Sequence, residues 1–133
     1  MSDDEDPLKK VLVDKNKIDR QQLADGINGI IGVDKETGEP APLPEYHEMN
    51  NKQQFVAQLL ARRASVALDL LSPEGLGITS AEAENVLPIS ESTVKNYGSI
   101  GFIQNDSEQG GYFIPAYAIE QAIDFIRAEN GDE

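Results

Sequence analysis

"GITSAEAENVLPISESTVKNYGSIGFIQND", Gly77–Asp106, decides how this chain of 133 residues folds. Thr79 and Glu82 have capping-box spacing, in which a hydroxyl and a carboxylate three residues apart satisfy the free N–H groups of a helix start. The spacing predicts a short helix over Ser80–Val86. Pro88 lacks a backbone donor and breaks it. Ser90 caps a second helix, which carries Val94 and Tyr97 inward. "GFIQN" and "GYFIP" then predict two strands joined by "DSEQGG", where Gly110 and Gly111 supply the turn. Pro115 fits the first turn of a last helix. There Ile119, Ala122, Ile123 and Ile126 share a face, with Phe125 beside it.

Upstream, Asn50 and Gln53 form another capping-box pair. Phe55, Val56, Leu59, Leu60, Val66, Ala67, Leu70 and Leu71 recur at three and four, which predicts a central core helix of about twenty residues. "SPEGLG" ends it through Pro73 and two glycines. From residue 50 the order is helix, helix, helix, strand, strand, helix.

The first 48 residues read differently. "KKVLVD" predicts a strand. "KIDRQQLADGINGI" predicts a short helix opened by Asp19 and weakened by Gly26 and Gly29. "IIGVDKETGEPAPL" predicts a hairpin: Ile30–Val33, a turn through Lys35–Gly38, then a partner confined to a sheet edge by Pro40, Pro42 and Pro44. "LPEYHEM" reads as a loop. The organisation expected is a disordered acidic tail at 1–7, a strand–helix–hairpin extension at 8–48, a main domain at 49–128 and a disordered tail at 129–133.

Composition narrows the function classes. Apolar residues make up 39% and charged residues 26%, as in ordinary globular proteins. No apolar run reaches the roughly eighteen residues of a membrane span, and "MSDDEDPLKK" has no apolar core of a signal peptide. Cysteine is absent, which removes disulfides, thiolate metal sites and cysteine nucleophiles. A cytoplasmic protein is the expectation. The net charge is −13, with 24 acidic residues against 11 basic ones. Residues 1–48 hold 6 basic and 12 acidic residues, and residues 49–127 hold 5 and 9. Two readings of that acidity stay open. Acidic ends repel nucleic acid and favour a protein partner, or a salt-accumulating host uses acidity as a general solubility device.

The stretch from about 50 to 127 resembles the winged helix-turn-helix superfamily of bacterial and archaeal regulators. "ITSAEAENVL" is similar to the family's second helix. "PIS" matches its turn, with Ile89 as the buried apolar residue. "ESTV" resembles the start of a recognition helix, "YGSIGFIQ" its end, and "NDSEQGGYFI" the wing hairpin. The resemblance implies an α+β, mostly helical fold: a winged helix with a small N-terminal extension. One departure stands out. Three residues lead from Val94 to Tyr97 where many family members have about seven, so the recognition helix is shorter by one turn, roughly 5 Å.

The resemblance also implies a DNA-binding transcriptional regulator acting as a homodimer on double-stranded DNA, two recognition helices lying one duplex turn apart. Ser92, Thr93, Lys95 and Asn96 would meet bases or phosphates, and Arg62, Arg63 and Lys52 the DNA backbone. The plainer reading of Arg62 and Arg63, and the one preferred on sequence, is a solvated helix face. The alternative is a structural or protein-interaction module, in a larger complex or a virion, with the N-terminal extension as a partner-binding face. The acidic surface, the short recognition helix and the acidic wing favour it.

Other chemistry finds little support. His47 is the one histidine, and the acids of "EYHEM" around it suggest an exposed loop residue. "DKETGE" lacks the ligand spacing of a calcium loop, and "GINGIIG" has no phosphate-loop lysine. No triad context or Gly-x-Ser-x-Gly occurs. No enzyme activity, cofactor or metal is expected.

Overall fold

A computed structural model describes residues 7–8 and 18–128. The strand expected at "KKVLVD", the N-terminal tail up to Asp6 and the C-terminal tail lie outside them. The fold is α+β and mostly helical. Its elements are α1 (Arg20–Ile27), β1 (Ile31–Val33), β2 (Pro40–Pro42), α2 (Asn51–Ala67), α3 (Ser80–Val86), α4 (Glu91–Tyr97), β3 (Gln104–Asp106), β4 (Gly111–Phe113) and α5 (Ile119–Arg127). No helix among the described residues is long and apolar enough to cross a membrane.

Helix α2 is the axis of the molecule. Phe55, Val56, Ala57, Leu59, Leu60 and Ala61 on it are fully buried, and it packs against α1, β1, β2, β4 and α5. Its start is the expected box: Asn50 accepts from the Gln53 backbone N–H at 2.8 Å, and Gln53 accepts from the Asn50 N–H at 3.2 Å. The same buried Gln53 side chain donates to the carbonyls of Ile126 and Ala128 at 3.2 and 3.0 Å, which fastens the end of α5 to the start of α2.

The end of α2 differs from expectation. It stops at Ala67, before "SPEGLG", because Asp69 adopts a left-handed φ of 63°. The Asp69 N–H donates to Val66 O at 3.0 Å and the Leu70 N–H to Ser65 O at 2.9 Å. These are the two bonds of a Schellman cap. Leu70, expected on the core stripe, therefore lies beyond the helix and is exposed.

Two antiparallel hairpins flank this axis. In the first, Ile31 pairs with Pro42 and Val33 with Pro40. Its turn is held by Asp34, whose carboxylate accepts from Glu36 N at 2.8 Å, and by Gly38 at φ 78°. The buried Ser65 hydroxyl donates to Gly38 O, so the turn docks on α2. In the second hairpin, Gln104 pairs with Phe113 and Asp106 with Gly111. It is shorter than "GFIQN" and "GYFIP" suggest. Turns that bond Ile100 N to Tyr97 O and Ile103 N to Ile100 O delay its start. Residue Ile78 adds an isolated antiparallel bridge to Tyr112, with both bonds at 2.9 Å.

Three further segments depart from the reading. "PEYHE" forms a 3-10 turn with Pro44 in its first turn, not an open loop, because Tyr46 is buried and accepts from Gln58 Nε2 at 3.0 Å. Pro115 precedes a separate 3-10 turn, Ala116–Ala118, and α5 opens only at Ile119. The residues of the expected extension share one core with the rest: Leu23, Ile27, Ile30, Ile31 and Tyr46 cluster with α2 and α5.

Candidate nucleic-acid interface

Helices α3 and α4 form the pair on which DNA contact was expected. Each is seven residues long, so α4 is about 10 Å from end to end. Thr79 accepts from Glu82 N at 3.1 Å and Glu82 accepts from Thr79 N at 2.9 Å, closing the α3 cap. Ser90 accepts from Thr93 N at 3.3 Å and caps α4. Buried Val94 anchors α4 to the core. Gly98 ends α4 where Tyr112 crosses it; a Cβ there would lie 2.2 Å from the tyrosine ring.

Ser92, Lys95 and Asn96 are exposed on α4, and Thr93 is half-buried. The Thr93 hydroxyl is bonded to Ser90 Oγ at 3.0 Å, and Ser92 Oγ to the same atom at 3.1 Å. Lys52 stands near them through Tyr97, its Nζ 5.8 Å from the ring centroid. The structure therefore brings Lys52 to the C-terminal end of α4.

Arg62 and Arg63 are drawn elsewhere. They lie about 15 Å further along α2 than Lys52. Arg62 Nη1 donates to Gly75 O at 2.9 Å and Gly77 O at 3.1 Å. Its Nε is buried without a partner among the described residues. Arg63 donates to Ile114 O through Nη2 at 2.8 Å and Nε at 3.3 Å. Burial lowers the Arg63 pKa from the ordinary arginine value. Both side chains are half-buried and tie α2 to loop carbonyls, so neither is a freely solvated charge.

The other two arginines behave alike. Arg20 Nη1 donates to Ala67 O at the end of α2, at 3.0 Å. Arg127 donates to Gly26 O at 2.9 Å, Asn28 O at 3.1 Å and Asp25 O at 3.2 Å, closing the end of α1. All four arginines of the chain thus hold backbone carbonyls. No spacing in the sequence signals this, because the acceptors lie 13 to 102 residues away.

The surroundings of α4 are acidic. Glu84 Oε2 accepts from the Glu91 backbone N–H at 2.9 Å, and Glu91 Oε2 accepts from Ser80 Oγ at 3.1 Å. A carboxylate thereby takes up a free backbone donor at the start of α4. The β3–β4 turn adds exposed Asp106 and Glu108. Its geometry is set by Asp106, which accepts from Glu108 N at 2.9 Å, and by Gly110 at φ 100°.

His47 is exposed, its ring edge-on to Tyr46 at 5.4 Å. Among the described residues no group of three or more acids or histidines is placed to hold a metal ion. Comparison with protein-family models, curated proteins and solved structures gave no match.

Proposed function

We propose that this chain is a winged-helix protein that works as a non-catalytic protein-interaction module. The winged-helix part of the reading is supported by the order α2, Ile78 bridge, α3, α4, β3–β4 hairpin and α5. One observation carries the rest: every arginine is bonded to backbone carbonyls. Lys95, and Lys52 over the Tyr97 ring, are then the cations of residues 49–127 not held by backbone carbonyls, against nine acids. Phosphate binding draws on a stripe of cations, and this surface offers two.

A second reading rests on α4 itself. Ser92, Lys95 and Asn96 are exposed on a helix seated where a recognition helix would be, and Lys52 is near. A homodimer would double those contacts on double-stranded DNA.

Fluorescence anisotropy with a mixed-sequence duplex separates the two. Titrations run from dilute to molar potassium chloride, with folding checked by circular dichroism. The interaction-module reading expects no binding at any salt. Binding that weakens steeply with salt and is lost in Lys95→Ala would replace it with the DNA reading.

A further inference from the structure

Between the β3–β4 hairpin, Arg63 on α2 and the turn at Ala116–Ala118 lies a pocket of about 310 Å³. Buried Leu76, Phe113 and Pro115 form its apolar wall. Arg63, Gln104 and Tyr117 bring polar groups to it, and so does Asp106 on β3. A concave site with an apolar wall and a few converging polar groups is the usual form of a small-ligand pocket.

Two of these side chains keep a donor. Arg63 directs both Nε and Nη2 to one acceptor, Ile114 O, at 3.3 and 2.8 Å. A guanidinium carries more N–H groups than that contact uses, and Nη1 meets no acceptor among the described residues. No carboxylate among them pairs with the charge: burial alone shifts the Arg63 pKa, downward, where a neighbouring acid would raise it. At Tyr117 the hydroxyl oxygen accepts from Gln104 Nε2 at 2.5 Å, which leaves the phenolic hydrogen for another acceptor.

A planar, negatively charged acceptor completes such a pair of donors. A carboxylate matches the flat guanidinium through parallel N–H···O bonds, and a half-buried cation gains more from it than one in water. Asp106 limits how much charge the pocket takes. Its carboxylate accepts from Glu108 N at 2.9 Å and forms part of the same lining. Its repulsion roughly doubles for a doubly charged phosphate relative to a singly charged carboxylate. The apolar wall favours a hydrocarbon group beside the charge. At about 310 Å³ the pocket is at the small end for ligand sites, so that group is short.

We propose that this pocket binds a carboxylate carried next to a short apolar group, with the charge on Arg63 and Tyr117 and the hydrocarbon against Leu76, Phe113 and Pro115. A free apolar acid and the C-terminal residue of a partner chain share that chemistry. The inference rests on the pocket and stands whether or not the interaction-module reading does. Titration of the full chain with N-acetylleucine tests it, followed by the Arg63 Nε–H and the Phe113 and Ile114 amide resonances. Saturable shifts are expected, with the uncharged N-acetylleucine amide binding at least tenfold more weakly. Tyr117 is 64% exposed, so Tyr117→Phe keeps the fold and should weaken N-acetylleucine binding at least threefold. No saturable shift up to tens of millimolar, equal affinity for acid and amide, or unchanged affinity in Tyr117→Phe would overturn the proposal. Tighter binding of methyl phosphate would do the same. A Gly-Gly-Leu peptide then separates the two sources. Binding tighter than that of N-acetylleucine, and lost on C-terminal amidation, assigns the pocket to a chain end; equal affinity assigns it to a free acid.

Discussion

Arg127 and Tyr46 show how single side chains hold this molecule. The Arg127 guanidinium reaches three carbonyls at the end of α1. Helix ends leave carbonyls unpaired, and a cation there is favourable both as donor and as charge. Tyr46 does the reverse work: its ring is buried and its oxygen takes up the amide of buried Gln58. Burial raises the Tyr46 pKa above its ordinary 10.0, against a smaller lowering by the Gln58 bond. The unfolded chain therefore ionises first. Tyr46 contributes its full stability below about pH 10 and loses it as pH rises through the raised value. Urea denaturation should find Tyr46→Phe less stable at pH 7 by about 1 kcal/mol, because Gln58 loses its partner. The deficit should shrink above pH 10. A deficit that grows there would contradict this assignment.

At the scale of elements, the local bonds were legible. Asp19, Asn50, Thr79 and Ser90 each cap a helix through a bond three residues away, so spacing alone revealed them. The α1 helix, the β1–β2 hairpin and the buried face of α5 followed from periodicity. What spacing missed carries no residue-type signal in the sequence. Helix α2 ends early because Asp69 takes a left-handed turn that glycine or asparagine usually supplies. The candidate site was legible in part. The chain order placed Ser92, Lys95 and Asn96 on one short helix, yet their acidic surroundings depend on bonds between α3 and α4. Asp69→Gly removes a Cβ from the left-handed position. It should raise stability by about 0.5–1 kcal/mol in chemical denaturation, and Asp69→Val should lower it by more. A loss of stability in Asp69→Gly would show that the aspartate side chain matters more than the turn.

For the whole molecule, charge and core tell one story. The net charge of −13 leaves little attraction for a polyanion at long range. At short range, the arginines are the residues best suited to phosphate, and here they join elements: α2 to the β4 exit, α2 to the loop before α3, α1 to α2, and α5 to α1. The carbonyls that hold Arg62 and Arg63 lie 13 and 51 residues away, so their charge is not outward as the sequence suggests. Their structural use is the centre of the functional account. It is tested most directly by the arginine Nε–H resonances in a nitrogen–proton correlation spectrum, recorded at low salt with and without duplex DNA. The Arg63 and Arg127 resonances should be protected from solvent exchange, and none of the four should move when DNA is added. Shifts of Arg62 and Arg63 on DNA addition, together with the backbone amides of α4, would contradict it.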